Sequence, residues 1–128
     1  MPYHKKNKRK FRGKKARRYH KRHKIMQQLA SERISFLFKW ADEIYDTDPK
    51  LAHHAIDIAR KISMGTKVRI SADLKRNICH GCKHYLKMGK NVRIRSHHRQ
   101  GYGTWIAKTC LDCGHITRYI IKGKAYKD

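Results

Sequence analysis

Acidic residues are scarce in this sequence: nine Asp and Glu stand against 33 Lys and Arg among 128 residues, a formal charge of +24. So large an excess opposes compact folding by self-repulsion unless a polyanion neutralises it. Nucleic acid is the obvious polyanion, because each phosphate met by Lys or Arg releases condensed counterions. Long apolar runs are also missing. No stretch approaches the roughly 20 residues that span a bilayer, and no apolar segment follows the basic N-terminus as a secretory signal would require. The chain therefore reads as cytoplasmic, with no membrane partner, in a compartment where paired cysteines bind metal more often than each other. A phosphate-binding GxxxxGK[ST] loop, a nucleophile elbow and a zinc-deaminase HxE motif are absent. No recognition helix stands out, so DNA is not expected as a partner. The polypeptide reads as a binding protein and not as a catalyst.

What charge there is lies unevenly. Residues 1–24 carry +13, residues 25–64 carry −1 and residues 65–128 carry +12. Two cationic segments flank a nearly neutral middle, which suggests that the ends meet a polyanion and the middle meets protein. Residues 1–15 have no apolar periodicity and cannot bury enough surface to offset the entropy of ordering. They are expected to form a disordered basic arm.

From about Ala16 to Tyr45 the pattern turns helical. Ile25, Leu29, Phe36, Trp40 and Ile44 recur near helical spacing, and Met26, Ala30, Ile34, Leu37 and Ala41 broaden the stripe. Asp48 is placed to cap a second helix with Pro49 at its first position. That helix is expected to run to about Met64 and to stop at Gly65 as a left-handed cap. The short connection implies an antiparallel hairpin over residues 16–65. Two helices of this size have little core of their own. Phe36, Phe38, Trp40 and Tyr45 are expected to leave an exposed patch that a protein partner covers, with Phe36, Trp40 and Ile44 as candidate contacts.

Residues 66–128 read as short strands. Along Asn91–Arg95, Val92 and Ile94 point one way while Arg93 and Arg95 point the other. Thr104–Thr109 and Ile116–Lys122 are two further strands, and Gln100–Gly103 is a turn. The only four cysteines form two CxxC pairs, Cys79/Cys82 and Cys110/Cys113, separated by 27 residues. Each pair makes a tight knuckle, and four thiolates satisfy the tetrahedral preference of one zinc ion. Gly81 and Gly114 fall where a knuckle backbone needs unusual dihedrals. A catalytic zinc keeps a position open to water, whereas four cysteines close the shell, so the metal is expected to be structural. Its binding contributes about 10–16 kcal/mol to folding. His80 and His115 flank the knuckles outside the ligand set, and His97 and His98 join the cationic surface. Trp105 is expected in the ribbon core, with Tyr102 the better stacking candidate. The fold class is α+β: an N-terminal antiparallel helical hairpin, then a C-terminal three-stranded antiparallel zinc ribbon.

The order of these parts resembles one family. The basic arm and helical pair continue into Ile70-Ser71-Ala72-Asp73-Leu74-Lys75-Arg76, Cys79-x-x-Cys82, Val92-Arg93-Ile94-Arg95 and Thr109-Cys110-Leu111-Asp112-Cys113-Gly114-His115. From about residue 12 onward this is similar to the archaeal ribonuclease P protein component 4 family. The resemblance implies a subunit of a ribonucleoprotein in which a catalytic RNA removes the 5′ leader from precursor tRNA. It implies that the helices dock on an Sm-like barrel protein and that the pair binds the specificity region of the RNA. Carried onto this chain, Cys79, Cys82, Cys110 and Cys113 become zinc ligands, and Lys75, Arg76, Arg93 and Arg95 become candidate RNA contacts. Lys14, Lys15, Arg17, Arg18 and Arg99 extend that candidate set. The competing reading is a zinc-ribbon ribosomal protein that binds ribosomal RNA.

Overall fold

A computed structural model describes residues 13–101 and 103–122. Most of the expected basic arm therefore lies outside the described residues, as does Tyr102. In chain order the elements are α1 (Lys14–Ile44), α2 (Pro49–Thr66), α3 (Ala72–Lys75), β1 (Val92–Arg99), β2 (Gly103–Cys110) and β3 (Ile116–Lys122). Among the described residues no helix is long and apolar enough to cross a membrane.

The two long helices form the expected antiparallel pair. Asp48 caps α2 as its sequence position demands: Oδ1 accepts from Lys50 N at 3.0 Å and Leu51 N at 3.1 Å. The end of α2 differs from expectation. Helix continues through Gly65 to Thr66, and Lys67 takes the left-handed cap at φ 57°. Side-chain bonds hold that last turn, Thr66 Oγ1 to the Ile62 carbonyl at 2.7 Å and Ser63 Oγ to the Val68 carbonyl at 2.6 Å. Between the helices, Ala41, Ala52, Ala55 and Ala59 are fully buried. Side chains that small let the backbones approach closely, and Ile34, Leu37 and Ile56 fill the rest.

The hairpin does not complete its own core. Ile70 and Tyr85 are buried in the same cluster, and Val68, Leu74 and Ile78 pack against it. The segment after α2 thus folds back over α1, and this corrects the expected patch. Phe38 is 3 % exposed and Tyr45 7 %, while Trp40 and Ile44 are half-buried against the cluster. Phe36 alone of the four aromatics remains open, at 53 %, with the Arg33 guanidinium 5.2 Å from its ring centre. It continues an exposed flank of α1 that also carries Ile25 and Leu29.

The N-terminal end of α1 behaves differently from the rest. At 1.5 Å per residue, its 31 residues run for about 46 Å against about 27 Å for the 18 of α2. The C-terminal end of α2 lies beside Tyr19, His23, Met26 and Gln27. Lys14, Lys15, Arg17 and Arg18 are exposed turns beyond it. Lys14 and Lys15, expected in the arm, form the first turn of this helix.

The three strands form one antiparallel sheet in the order β1-β2-β3. β1 is longer than expected and takes in His97, His98 and Arg99. The pairs Val92–Cys110, Ile94–Lys108 and Ser96–Ile106 set one face; Arg93–Thr109, Arg95–Ala107 and His97–Trp105 set the other. Beneath the knuckles sits a second small core of Cys79, Leu86, Val92 and Cys110. The one-turn α3 went unnoticed in the sequence; Ser71 caps it and Lys108 Nζ donates to the Arg76 carbonyl at its end.

Candidate metal centre and nucleic-acid interface

The four cysteines, 28 or more residues apart between pairs, meet at one point. All four sulfurs lie within 4.8 Å of one another, with Cys79 Sγ to Cys113 Sγ at 3.5 Å and Cys82 Sγ to Cys110 Sγ at 3.8 Å. A tetrahedral zinc–thiolate site with bonds of about 2.3 Å has ligand edges of about 3.8 Å. The donor set and its spacing therefore fit one closed tetrahedral ion.

Both knuckles are built the same way. The first cysteine of each donates its N–H to the carbonyl five residues on: Cys79 N to His84 O at 3.0 Å, and Cys110 N to His115 O at 2.9 Å. The residue after the second cysteine is left-handed in both, Lys83 at φ 64° and Gly114 at φ 74°. Gly114 thus serves as expected, but Gly81 does not carry the unusual dihedral. It is needed for space: a Cβ there would stand 3.1 Å from His115 Cβ and 3.2 Å from Cys113 Sγ. Its N–H also donates to Cys79 Sγ at 3.3 Å.

The thiols are unequal before any metal arrives. Burial pushes Cys82 up to about 12 and raises Cys110 as well. The His115 N–H on its sulfur brings the exposed Cys113 down to about 6. At neutral pH the Cys113 thiolate is ready to take an ion, and the Cys82 and Cys110 protons must leave as the shell closes.

Around this centre stands a polar joint that the sequence did not reveal. Asn91 is 5 % exposed. Its Nδ2 donates to the Tyr85 carbonyl at 2.8 Å and to Asp112 Oδ2 at 3.0 Å, and its Oδ1 accepts from Lys87 N at 2.8 Å. The Leu111 N–H donates to its backbone carbonyl at 2.9 Å. One amide thereby ties both knuckles to the start of β1. Only its position, just before the first strand between the CxxC pairs, could have marked it.

A second joint fastens the ribbon to the hairpin. The Tyr85 hydroxyl donates to Asp42 Oδ1 at 2.9 Å, and Lys87 Nζ stands 3.1 Å from the same oxygen. Hydrogen bonds from Lys87 and Tyr85 hold the Asp42 carboxyl below the ordinary carboxylate range. Nearby, His53 of α2 stacks on His84 with ring centres 4.1 Å apart, and Asp112 Oδ2 lies 3.5 Å from His84 Nδ1. These three side chains bring ligand-type atoms together. However, His53 Nδ1 already accepts the Tyr85 N–H at 3.1 Å, which leaves its proton on Nε2 and no lone pair for an ion. Burial, then His84, lowers its pKa, so the neutral ring acts as packing between the two halves.

The candidate RNA contacts fall into three places. Arg93, Arg95 and Arg99 are exposed together on one sheet face, and Arg118, paired with Ala107, joins them from β3. Arg118 was not singled out in the sequence; only the register places it there. Arg76 stands elsewhere, lining a groove with Ile94, Ile106 and Lys108 of the opposite face, and is ion-paired with Asp73 at 3.3 Å. Lys75 is exposed on α3. The third group is Lys14, Lys15, Arg17 and Arg18 at the projecting end of α1. Trp105, expected in the ribbon core, belongs to neither buried cluster and stacks with His97 on the arginine face.

Known proteins share this arrangement. Residues 33–114 match the family model for the RNAse P Rpr2/Rpp21/SNM1 subunit domain. Ribonuclease P protein component 4 of Methanoregula boonei is 41 % identical over 102 residues, covering 80 % of this chain and 93 % of the relative. Among solved structures, a chain of an archaeal ribonuclease P with mature tRNA, seen by cryo-EM, is 32 % identical. It superposes with a TM-score of 0.66 over 73 % of this chain and 77 % of its own. Pfu Rpp21 is 37 % identical with a TM-score of 0.54, over 70 % of this chain and 97 % of its own. The matched span takes in both CxxC pairs, the Asp48 cap and the Asn91 joint, and the chain belongs to the ribonuclease P Rpr2/Rpp21/SNM1 subunit family.

Proposed function

We propose that this chain serves ribonuclease P as a non-catalytic, RNA-binding subunit in the cytoplasm, supporting removal of the 5′ leader from precursor tRNA by the catalytic RNA. The observation that carries the reading is the exposed face of Arg93, Arg95, Arg99 and Arg118, held on a sheet whose root is the four-cysteine centre. Guanidinium groups fixed on a rigid sheet suit phosphate recognition, where their planar forks bond in pairs. Zinc at Cys79, Cys82, Cys110 and Cys113 would supply folding energy and no chemistry, because four thiolates leave no place for a reacting water.

The division of labour follows the charge. The basic N-terminal segment and the ribbon (66–128) meet the RNA specificity region, and the hairpin (16–65), through its near-neutral part at residues 25–64, meets an Sm-like barrel subunit. Support for the second contact is the open flank of α1 at Ile25, Leu29 and Phe36, beside half-buried Trp40 and Ile44. Crosslinking the tagged protein in its native cells and sequencing the attached RNA tests the reading. Enrichment of ribonuclease P RNA and precursor tRNA is expected. Ribosomal RNA alone would make the chain a ribosomal component and overturn it.

A further inference from the structure

Three side chains stand in one row across the sheet: His97 on β1, Trp105 on β2 and Ile120 on β3. The adjacent row is Arg95, Ala107 and Arg118, and strand alternation puts Arg93 and Arg99 on the same face. A single indole therefore lies among arginines. The strands direct residues such as Ile94, Ser96, Ile106, Lys108 and Tyr119 to the opposite face, where Arg76 and the edge residue Arg118 border a groove but no indole lies.

Trp105 is half-buried, and His97 stacks with it at 5.6 Å between centres and 16° between planes. Together with Arg99, Arg118 and Ile120 it lines an open cleft of about 310 Å³. That is the small end of the roughly 300–1,000 Å³ range of ligand sites. Ile120, 76 % exposed, forms an apolar wall that no other described residue covers.

An apolar protein segment fits this cleft poorly, since covering it would strip water from the surrounding guanidinium groups. A duplex fits poorly as well, because paired bases have both faces covered by their neighbours and could meet only the arginines. An unpaired nucleotide satisfies both features at once: its base offers a π-face to the indole and its phosphates meet the arginines. We propose that the cleft between Trp105, Ile120, Arg99 and Arg118 receives an unpaired nucleotide, its base stacked on Trp105. This rests on the reading of the chain as RNA-binding and adds that the ribbon selects single-stranded over paired RNA.

The chain has only two tryptophans, so Trp40→Phe leaves Trp105 as the sole indole reporter. The zinc-loaded, full-length Trp40→Phe protein is titrated with a short oligoadenylate and, separately, with a blunt RNA duplex. Trp105 emission is recorded alongside the anisotropy of the labelled RNA. Oligoadenylate should quench the emission in step with binding, and the duplex should bind without quenching. Binding of oligoadenylate with unchanged emission overturns the cleft but leaves the RNA-binding reading intact; no binding of either RNA overturns both. In the otherwise natural chain, Trp105→Leu should weaken oligoadenylate binding by roughly 5- to 100-fold, with duplex affinity and salt slope unchanged. Equal losses for both RNAs would make Trp105 a residue of the fold and overturn the proposal.

Discussion

Replacing Asn91 with alanine should cost the ribbon most of its metal affinity without touching a ligand. The side chain is buried and makes three hydrogen bonds of 2.8, 2.8 and 3.0 Å, the last to the Asp112 carboxylate. A neutral bond contributes about 1 kcal/mol net, and one to a charged group about 1.5–3 kcal/mol. Asp112 is partly exposed, which favours the low end for that bond. The loss comes to roughly 3–4 kcal/mol. In a small metal-dependent element, folding and metal binding share one free energy. The loss therefore reads out as zinc affinity lowered by about 100- to 1,000-fold. Competition against a chromogenic zinc chelator measures it, and circular dichroism checks that the helices persist. Asn91→Asp keeps the size and the acceptor for Lys87 N but loses both donors and sets a carboxylate beside Asp112. It should be at least as damaging as alanine. An alanine variant holding zinc within about threefold of the original would refute the idea that this amide joins the knuckles.

Burial keeps Cys82 and Cys110 protonated in the metal-free protein, so adding zinc near pH 7 should release at least about two protons per ion. Affinity should fall with acidification and fall more steeply below about 6, where Cys113 also gains a proton; a pH-independent affinity would contradict the thiolate set. Changing Arg93 and Arg95 together to alanine should weaken RNA binding and flatten its salt dependence, by up to roughly 0.7–0.9 log units per lost phosphate contact. Unchanged slope would place the RNA elsewhere. Phe36→Glu, on the open flank of α1, should leave melting within about 0.5 kcal/mol of the original yet abolish capture of the barrel subunit. A folded variant that still binds would remove Phe36 from that interface.

Several features were legible because they are local. The Asp48-Pro49 start of α2 depends only on neighbouring residues, and the structure has both bonds in place. The CxxC spacing likewise dictates its own turn, so both knuckles appear with matching hydrogen bonds. Errors arose where local preference met a longer-range contact. Gly65 favours a stop, but Ser63 bonds forward to the Val68 carbonyl and Thr66 back to the Ile62 carbonyl, and the helix runs past it. Phe38 and Tyr45 look surplus to a two-helix core, yet Ile70, Leu74 and Tyr85 return to cover that side.

By itself the sequence determined the α+β order, the four-cysteine cluster and the separation of basic ends from a neutral middle. Composition and short-range spacing are enough for each of these. Tertiary structure alone decided which apolar residues remain open, that Asn91 fastens the knuckles, and that Arg118 and Trp105 share a face with Arg93 and Arg95. Those facts depend on strand register and chain return, where a shift of one residue reverses every side chain and no nearby residue reports the outcome.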